Sequence, residues 1–149
     1  QDWHPAGHSS FASRHPGRNP FETVAMPYGE QTLWPDHCVQ GSDGATFYSG
    51  LEWTKAELVI RKGFRKAIDS YSAFFENDHA TPTGLAGYLK ERGISEVTLA
   101  GLATDFCVAY SAVDAARSAQ DAPSGPLRLN LTPTPQLSCL RLAVPPRTR

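Results

Sequence analysis

Cys107 is the residue of this chain best suited to act as a nucleophile. It lies in Gly101-Leu102-Ala103-Thr104-Asp105-Phe106-Cys107-Val108, between a run with strand character at 97–100 and small, apolar residues at 109–117 that suit a helix. That order predicts Cys107 in the first turn of a helix, where unpaired N–H groups and the positive end of the macrodipole favour a thiolate. A buried cysteine in a strand–helix corner is the competing reading. A second constellation opens the chain. In an extended segment Asp2 and His4 project to the same side, and a carboxylate beside an imidazole makes half of a mixed N/O metal site. A polar strand terminus is the plainer alternative. His8 follows, but Pro5 and Gly7 argue against a helix that would align it with His4. His37, in Leu33-Trp34-Pro35-Asp36-His37-Cys38-Val39-Gln40-Gly41, could supply a third ligand. It could instead pair with Cys38 in a redox or structural-zinc site, although no second cysteine stands at the spacing such sites use. Trp34 offers a flat apolar face, for a substrate or for the core.

These groups need elements to hold them. Glu57-Leu58-Val59-Ile60-Arg61-Lys62 reads as a short, mostly buried strand. The carboxyl ends of parallel strands face the ligand crevice, so Lys62 would point toward a site; standing alone it would read as a solvated surface charge. Asp69-Ser70-Tyr71-Ser72-Ala73-Phe74-Phe75, closed by Asn77 and Asp78, could wall a pocket or pack under a loop. Residues 83–93 predict a helix with Leu85, Tyr88 and Leu89 on one face, Thr83 as its N-cap and Gly93 as its stop. A strand at 96–100 and the Cys107 helix follow, so 57–117 reads as a right-handed βαβ unit on a parallel sheet. Residues 5–50, rich in Gly, Pro, Ser and His, read as a long irregular connection of the kind that often carries function.

The chain has 149 residues, 40% of them hydrophobic, enough for one domain with a sizeable core. A net charge of −1 gives no electrostatic case for nucleic acid or an anionic membrane. No apolar run approaches a membrane span, and the opening residues have no signal-peptide character. Three cysteines without framework spacing favour a reducing cytoplasm. Six of the twelve prolines fall in 119–149, where no Phe, Trp, Tyr, Lys or Glu occurs, so no structure is assigned there beyond a strand-like alternation at 127–131.

Five segments together resemble the nicotinamidase/pyrazinamidase group of the isochorismatase-like cysteine hydrolases. They are Gln1-Asp2-Trp3-His4-Pro5, Trp34-Pro35-Asp36-His37-Cys38-Val39, Arg61-Lys62-Gly63, Asp69-Ser70-Tyr71-Ser72-Ala73-Phe74 and the Cys107 segment, in the family's order over residues 1 to about 117. The resemblance implies an α/β fold, a parallel sheet flanked by helices, incomplete at both ends in this chain. Residues 1–118 would form the hydrolase domain without its first strand, and 119–149 an aberrant or disordered tail. It implies conversion of nicotinamide to nicotinate and ammonia in NAD salvage, with nicotinamide or pyrazinamide as the small-molecule partner. Cys107 would form the acyl-enzyme thioester, and Lys62 would lie beside the thiol and favour the thiolate. The N–H groups of Ala103 and Cys107 would make the oxyanion hole, aided by a cis peptide at Leu102-Ala103. Asp2, His4 and His37 would hold a divalent metal, zinc before iron or manganese, that binds the pyridine nitrogen, with His8 near but outside the first ring of ligands. Trp34 and Tyr71 would line the aromatic pocket.

The family's first strand carries an aspartate that acts as general base, and this sequence has no counterpart of it. The expectation is an enzyme of the nicotinamidase type, with two alternatives: an inert fragment of one, or a metal- or pyridine-binding module without turnover. The chain as it stands is expected to have little or no amidase activity and only marginal stability.

Overall fold

The structure, a computed structural model, describes residues 1–94, 96–120, 128–134 and 137–143. Its chain gathers into two compact units, Gln1–Ser70 with Glu76–Asp78 and Tyr71–Phe75 with His79–Arg149.

The first unit is built mostly of turns, as its glycines and prolines dictate. One hairpin interrupts them: β1 (Thr23–Met26) pairs antiparallel with β2 (Gly29–Thr32), Thr23 opposite Thr32 and Met26 opposite Gly29. The irregular connection expected over 5–50 is corrected here. Each strand has only four residues, too few for alternation to show in sequence, and Gly-Glu-Gln-Thr has no strand character of its own. Parallel pairing occurs as single bridges, Asp2 with Lys62, His4 with Val39 and Phe11 with Trp34. The strand expected over 57–62 is therefore reduced to its last residue, and 57–59 are exposed rather than buried. A parallel strand is held by neighbours along both edges. The backbone of this stretch bonds the Gln1–Trp3 segment at its end, through Ile60 O, which accepts from the Gln1 amino group at 2.8 Å, and through Lys62.

The interior of this unit is unusually polar. Phe11 and Leu33 are fully buried, but so are His4, His8, Ser10, Gln31 and Ser70. Such burial is tolerable because the groups satisfy one another. Gln31 Nε2 donates to Asp69 Oδ2 (3.0 Å), and Gln31 Oε1 accepts from the Tyr28 hydroxyl (3.0 Å) and Asn77 Nδ2 (3.1 Å).

The second unit holds the regular elements. Helix α1 (Leu85–Glu91) starts one residue later than Thr83 as N-cap predicts, because Gly84 takes a left-handed conformation at the cap (φ 98°). The Thr83 hydroxyl still accepts the Leu85 N–H at 3.3 Å. Gly93 ends the helix as expected: at φ 64° it lets its own N–H reach Lys90 O and the Ile94 N–H reach Leu89 O. Strand β3 (Glu96–Ala100) leads to a π-helical turn, Thr104–Val108, which runs directly into α2 (Ala109–Gln120). Buried Phe74 and Ala115 form the core with Phe75, Leu85, Leu89, Val97 and Leu99.

Strands β4 (Arg128–Thr134) and β5 (Leu137–Ala143) lie in the stretch to which sequence assigned no structure; 121–127, 135–136 and 144–149 fall outside the described residues. The sheet order is β3-β5-β4, with both pairings antiparallel, so β3 pairs with a later strand and not in the βαβ ladder expected over 57–117. Among the described residues no helix is long and apolar enough to cross a membrane.

Candidate active site

Backbone hydrogen bonds in the first unit set three segments side by side. Trp3 N–H donates to Lys62 O (3.0 Å) and Lys62 N–H to Gln1 O (2.9 Å); on the other edge His4 N–H donates to Cys38 O (2.9 Å) and Gln40 N–H to His4 O (2.8 Å). The 1–4 segment thus lies between the 38–40 and 62 segments. This placement brings the His37 and His4 rings to 4.7 Å between centroids, and the His8 ring to 4.6 Å from His4.

The hydrogen bonds of these rings fix what each can do. His4 Nδ1 meets Gly63 O at 3.0 Å and His37 Nδ1 meets Pro35 O at 2.8 Å. A carbonyl only accepts, so each Nδ1 carries a proton, and Nε2 is the nitrogen left to ligate. That arrangement orients a ligating imidazole. Burial is the main reason that the His4 pKa falls to about 4; Asp69 and Asp2 oppose the fall, and the nearby His8 and His37 rings add to it. His4 is therefore neutral, as a metal ligand must be. His8 is occupied differently: Nε2 donates to Arg65 O (2.9 Å) and Ile68 O (3.1 Å), and Nδ1 receives the Ser10 N–H (3.2 Å).

Asp2 reaches Lys62, whose Nζ lies 2.5 Å from Asp2 Oδ1 and 2.7 Å from Ser70 O. Burial raises the Asp2 carboxyl pKa, but the charge and hydrogen bond of Lys62 outweigh that and leave it below its usual value. A carboxylate and two imidazoles are a donor set that zinc, iron and manganese all accept, which is the chemistry expected of Asp2, His4 and His37. His4, His8 and Asp69 form a tighter cluster, their donor atoms all within 4.8 Å of one another. The unit thus carries a His/Asp group that can hold a metal. Within that cluster both nitrogens of His8 are bonded, and Asp69 accepts from Gln31 and from the Ser70 N–H. Trp34, half-buried, meets Phe21 edge to face.

Cys107, Ala103 and Tyr71 belong to the second unit. Cys107 is a half-buried thiol in the π-helical turn, two residues before α2 begins. Val108 N–H donates to Ala103 O (3.0 Å), the i→i−5 bond that defines the turn; such turns are frequent at functional sites. The Ser111 hydroxyl donates to Cys107 O (2.6 Å) and accepts the Ala73 N–H (2.8 Å), tying the turn to the 71–75 segment. Tyr71 is buried against Phe106 and Tyr110, both edge to face. No peptide bond is cis among the described residues, which corrects the expectation at Leu102-Ala103. A non-proline cis bond costs roughly 3 kcal/mol, and Leu102 is fully exposed, with no packing to enforce one.

Sequence reasoning missed three supporting residues. Gly63 (φ 60°) gives His4 its room: a Cβ there would collide with Cε1 and Nδ1 of the His4 ring. Its signal was the glycine directly after Lys62. Asp69 was singled out only as part of the 69–75 segment, without a role, and Ser111 gave no local signal beyond its type.

Residues 4–119 match the isochorismatase domain family. The nicotinamidase of Acinetobacter baylyi is 59% identical over 118 residues, 79% of this chain and 55% of that protein. Among solved structures, a nicotinamidase/pyrazinamidase of Acinetobacter baumannii matches with TM-score 0.77 and 59% identity, covering 79% of this chain and 57% of its own. The yeast nicotinamidase bound to the inhibitor nicotinaldehyde matches with TM-score 0.71 and 31% identity, covering 78% and 59%. The fold class is thus the isochorismatase-like α/β fold, and the chain spans about half the length of the curated relatives it matches.

Proposed function

We propose, on the premise that this chain belongs to the isochorismatase family, that it is a nicotinamidase-type amidohydrolase converting nicotinamide and water to nicotinate and ammonia. The observation that carries this reading is the pair His4 and His37, each with Nδ1 on a backbone carbonyl and Nε2 open. The similarity to nicotinamidases supports it.

In this reading the Cys107 thiolate attacks the amide carbonyl carbon. The amide nitrogen takes up the proton that the thiol gave up and leaves as ammonia as the C–N bond breaks, and a thioester remains. Water then adds to the thioester carbonyl, its proton returns to the sulfur as the C–S bond breaks, and nicotinic acid is released and ionises to nicotinate. The N–H groups of Ala103 and Cys107 stabilise the oxyanion, and Lys62 is the cation that favours the thiolate. Asp2, His4 and His37 hold the divalent cation, with zinc the first choice. When bound, that cation supplies an anchor for the pyridine nitrogen. Trp34 and Tyr71 provide aromatic surface for the ring. The hydrolase domain is taken as 1–118, a boundary that the family match over 4–119 supports. The finer parts of the proposal are pyrazinamide as a second substrate, a place in NAD salvage, and a cytoplasmic setting consistent with three cysteines lacking framework spacing.

The test is ammonia release from nicotinamide and pyrazinamide by the purified, zinc-loaded protein. Cys107→Ser should abolish release, and nicotinamide should trap a thioester mass on Cys107 in the parent. Metal uptake without any ammonia or thioester would instead favour a binding module.

A further inference from the structure

Asp2 serves two cations. As a ligand it would face a divalent metal together with His4 and His37, yet one of its oxygens lies 2.5 Å from the Lys62 ammonium. That ammonium is firmly placed. Its second bond, to Ser70 O at 2.7 Å, draws on a segment that is itself buried, and the Lys62 side chain is only 10% exposed. The bridge between Asp2 and Lys62 fixes both backbones, Trp3 N–H on Lys62 O and Lys62 N–H on Gln1 O. Neither side chain can leave the other without breaking a charge-assisted hydrogen bond in a partly desolvated place. His4 and the chain's own amino group also lie near Asp2.

We propose that Lys62 is a built-in competitor for the metal at Asp2, a positioning residue that sets how tightly this site takes a divalent cation. The inference rests on the reading of Asp2, His4 and His37 as the ligand set. A divalent ion that takes Asp2 must either share the carboxylate with the ammonium or displace it, and both routes cost free energy. Sharing places like charges close together across one carboxylate; displacement forfeits the hydrogen bond. The site is thereby tuned to a weaker grip than its ligands alone would give. Linkage requires the reverse as well, so the cation loosens the hold of Asp2 on Lys62 and makes that ammonium more available.

The experiment measures zinc affinity of the full chain by competition with a chromophoric chelator, in the parent, Lys62→Met, Lys62→Arg, Asp2→Asn and the double variant Asp2→Asn/Lys62→Met, with circular dichroism to confirm that each is folded. Lys62→Met should bind zinc roughly tenfold more tightly, the scale of one charged hydrogen bond removed from the competition. Lys62→Arg keeps the cation and should stay near the parent. In the Asp2→Asn background Lys62→Met should change little, because the shared carboxylate is gone. Unchanged or weaker zinc binding in folded Lys62→Met overturns the inference and leaves the ligand set standing. Equal zinc affinity in the parent and Asp2→Asn removes the ligand set itself, and the inference with it.

Discussion

At the scale of single residues, the site depends on how each His4 nitrogen is spent. Gly63 provides both the carbonyl that orients Nδ1 and the empty space in which the ring lies. Gly63→Ala should destabilise the protein by about 2–3 kcal/mol, from the left-handed backbone and the forced displacement of a buried ring. It should also weaken zinc binding by an order of magnitude or more, about the loss that follows removal of outer-shell support. Chemical denaturation and chelator competition measure the two effects. Burial of His4 has a consequence for pH in the metal-free protein. Its folded pKa, about 4, lies below the ordinary 6.5. Between those values the unfolded chain binds a proton that the folded chain refuses, so stability rises with pH across pH 4 to 6.5 and is flat in this contribution above it. His4→Gln should flatten that slope in urea titrations at stepped pH. The sequence showed the Asp2–His4 pairing and the His37 candidate because alternation and loop chemistry are local. It could not show the contact of Gln31 with Asp69, which forms only after residues 38 apart in the chain are folded together.

At the scale of elements, the segment from Ala100 to α2 does most to present Cys107, and Ser111 is its fastening. Its hydroxyl spans from Cys107 O to the Ala73 N–H while the residue is buried. Ser111→Ala leaves the Ala73 N–H without that acceptor and should cost roughly 1–3 kcal/mol; Ser111→Thr keeps the hydroxyl and should recover most of it. Alkylation of Cys107 should change in rate in Ser111→Ala and return toward the parent in Ser111→Thr, whereas Cys38 should not follow. The helices and β3 were legible because their caps and stops, Thr83 and Gly93 above all, act within a few residues. The strand over 57–62 was not, since Leu58, Val59 and Ile60 have the composition of a buried strand, and only partners remote in sequence decide whether one forms. β4 was partly visible in the alternation at 127–131, while Pro133 and the prolines after it hid β5.

At the scale of the whole molecule, the residues assigned to metal binding and those assigned to covalent chemistry fall in different compact units, Asp2, His4 and His37 in one and Cys107 in the other. Metal binding can therefore be measured on its own, without substrate or turnover, even though the chain spans about half the length of its curated relatives. A ligand that binds only the folded state stabilises it by mass action, by about 2.7 kcal/mol at a hundred times its dissociation constant. Zinc at that excess should raise the denaturation midpoint of the metal-free protein by several degrees, and a chelator should reverse the gain. The His37→Ala variant discriminates best, because His37 lies in a loop where its loss leaves the buried His4–Gly63 contact intact. Its metal-free midpoint should stay close to the parent's, while most of the zinc-dependent gain disappears. His8→Asn is the necessary contrast: it removes bonds to Arg65 and Ile68 carbonyls and should lower the metal-free midpoint while leaving a zinc-dependent gain. If His8→Asn abolishes the gain and His37→Ala preserves it, the cation belongs to the tighter His4, His8 and Asp69 cluster.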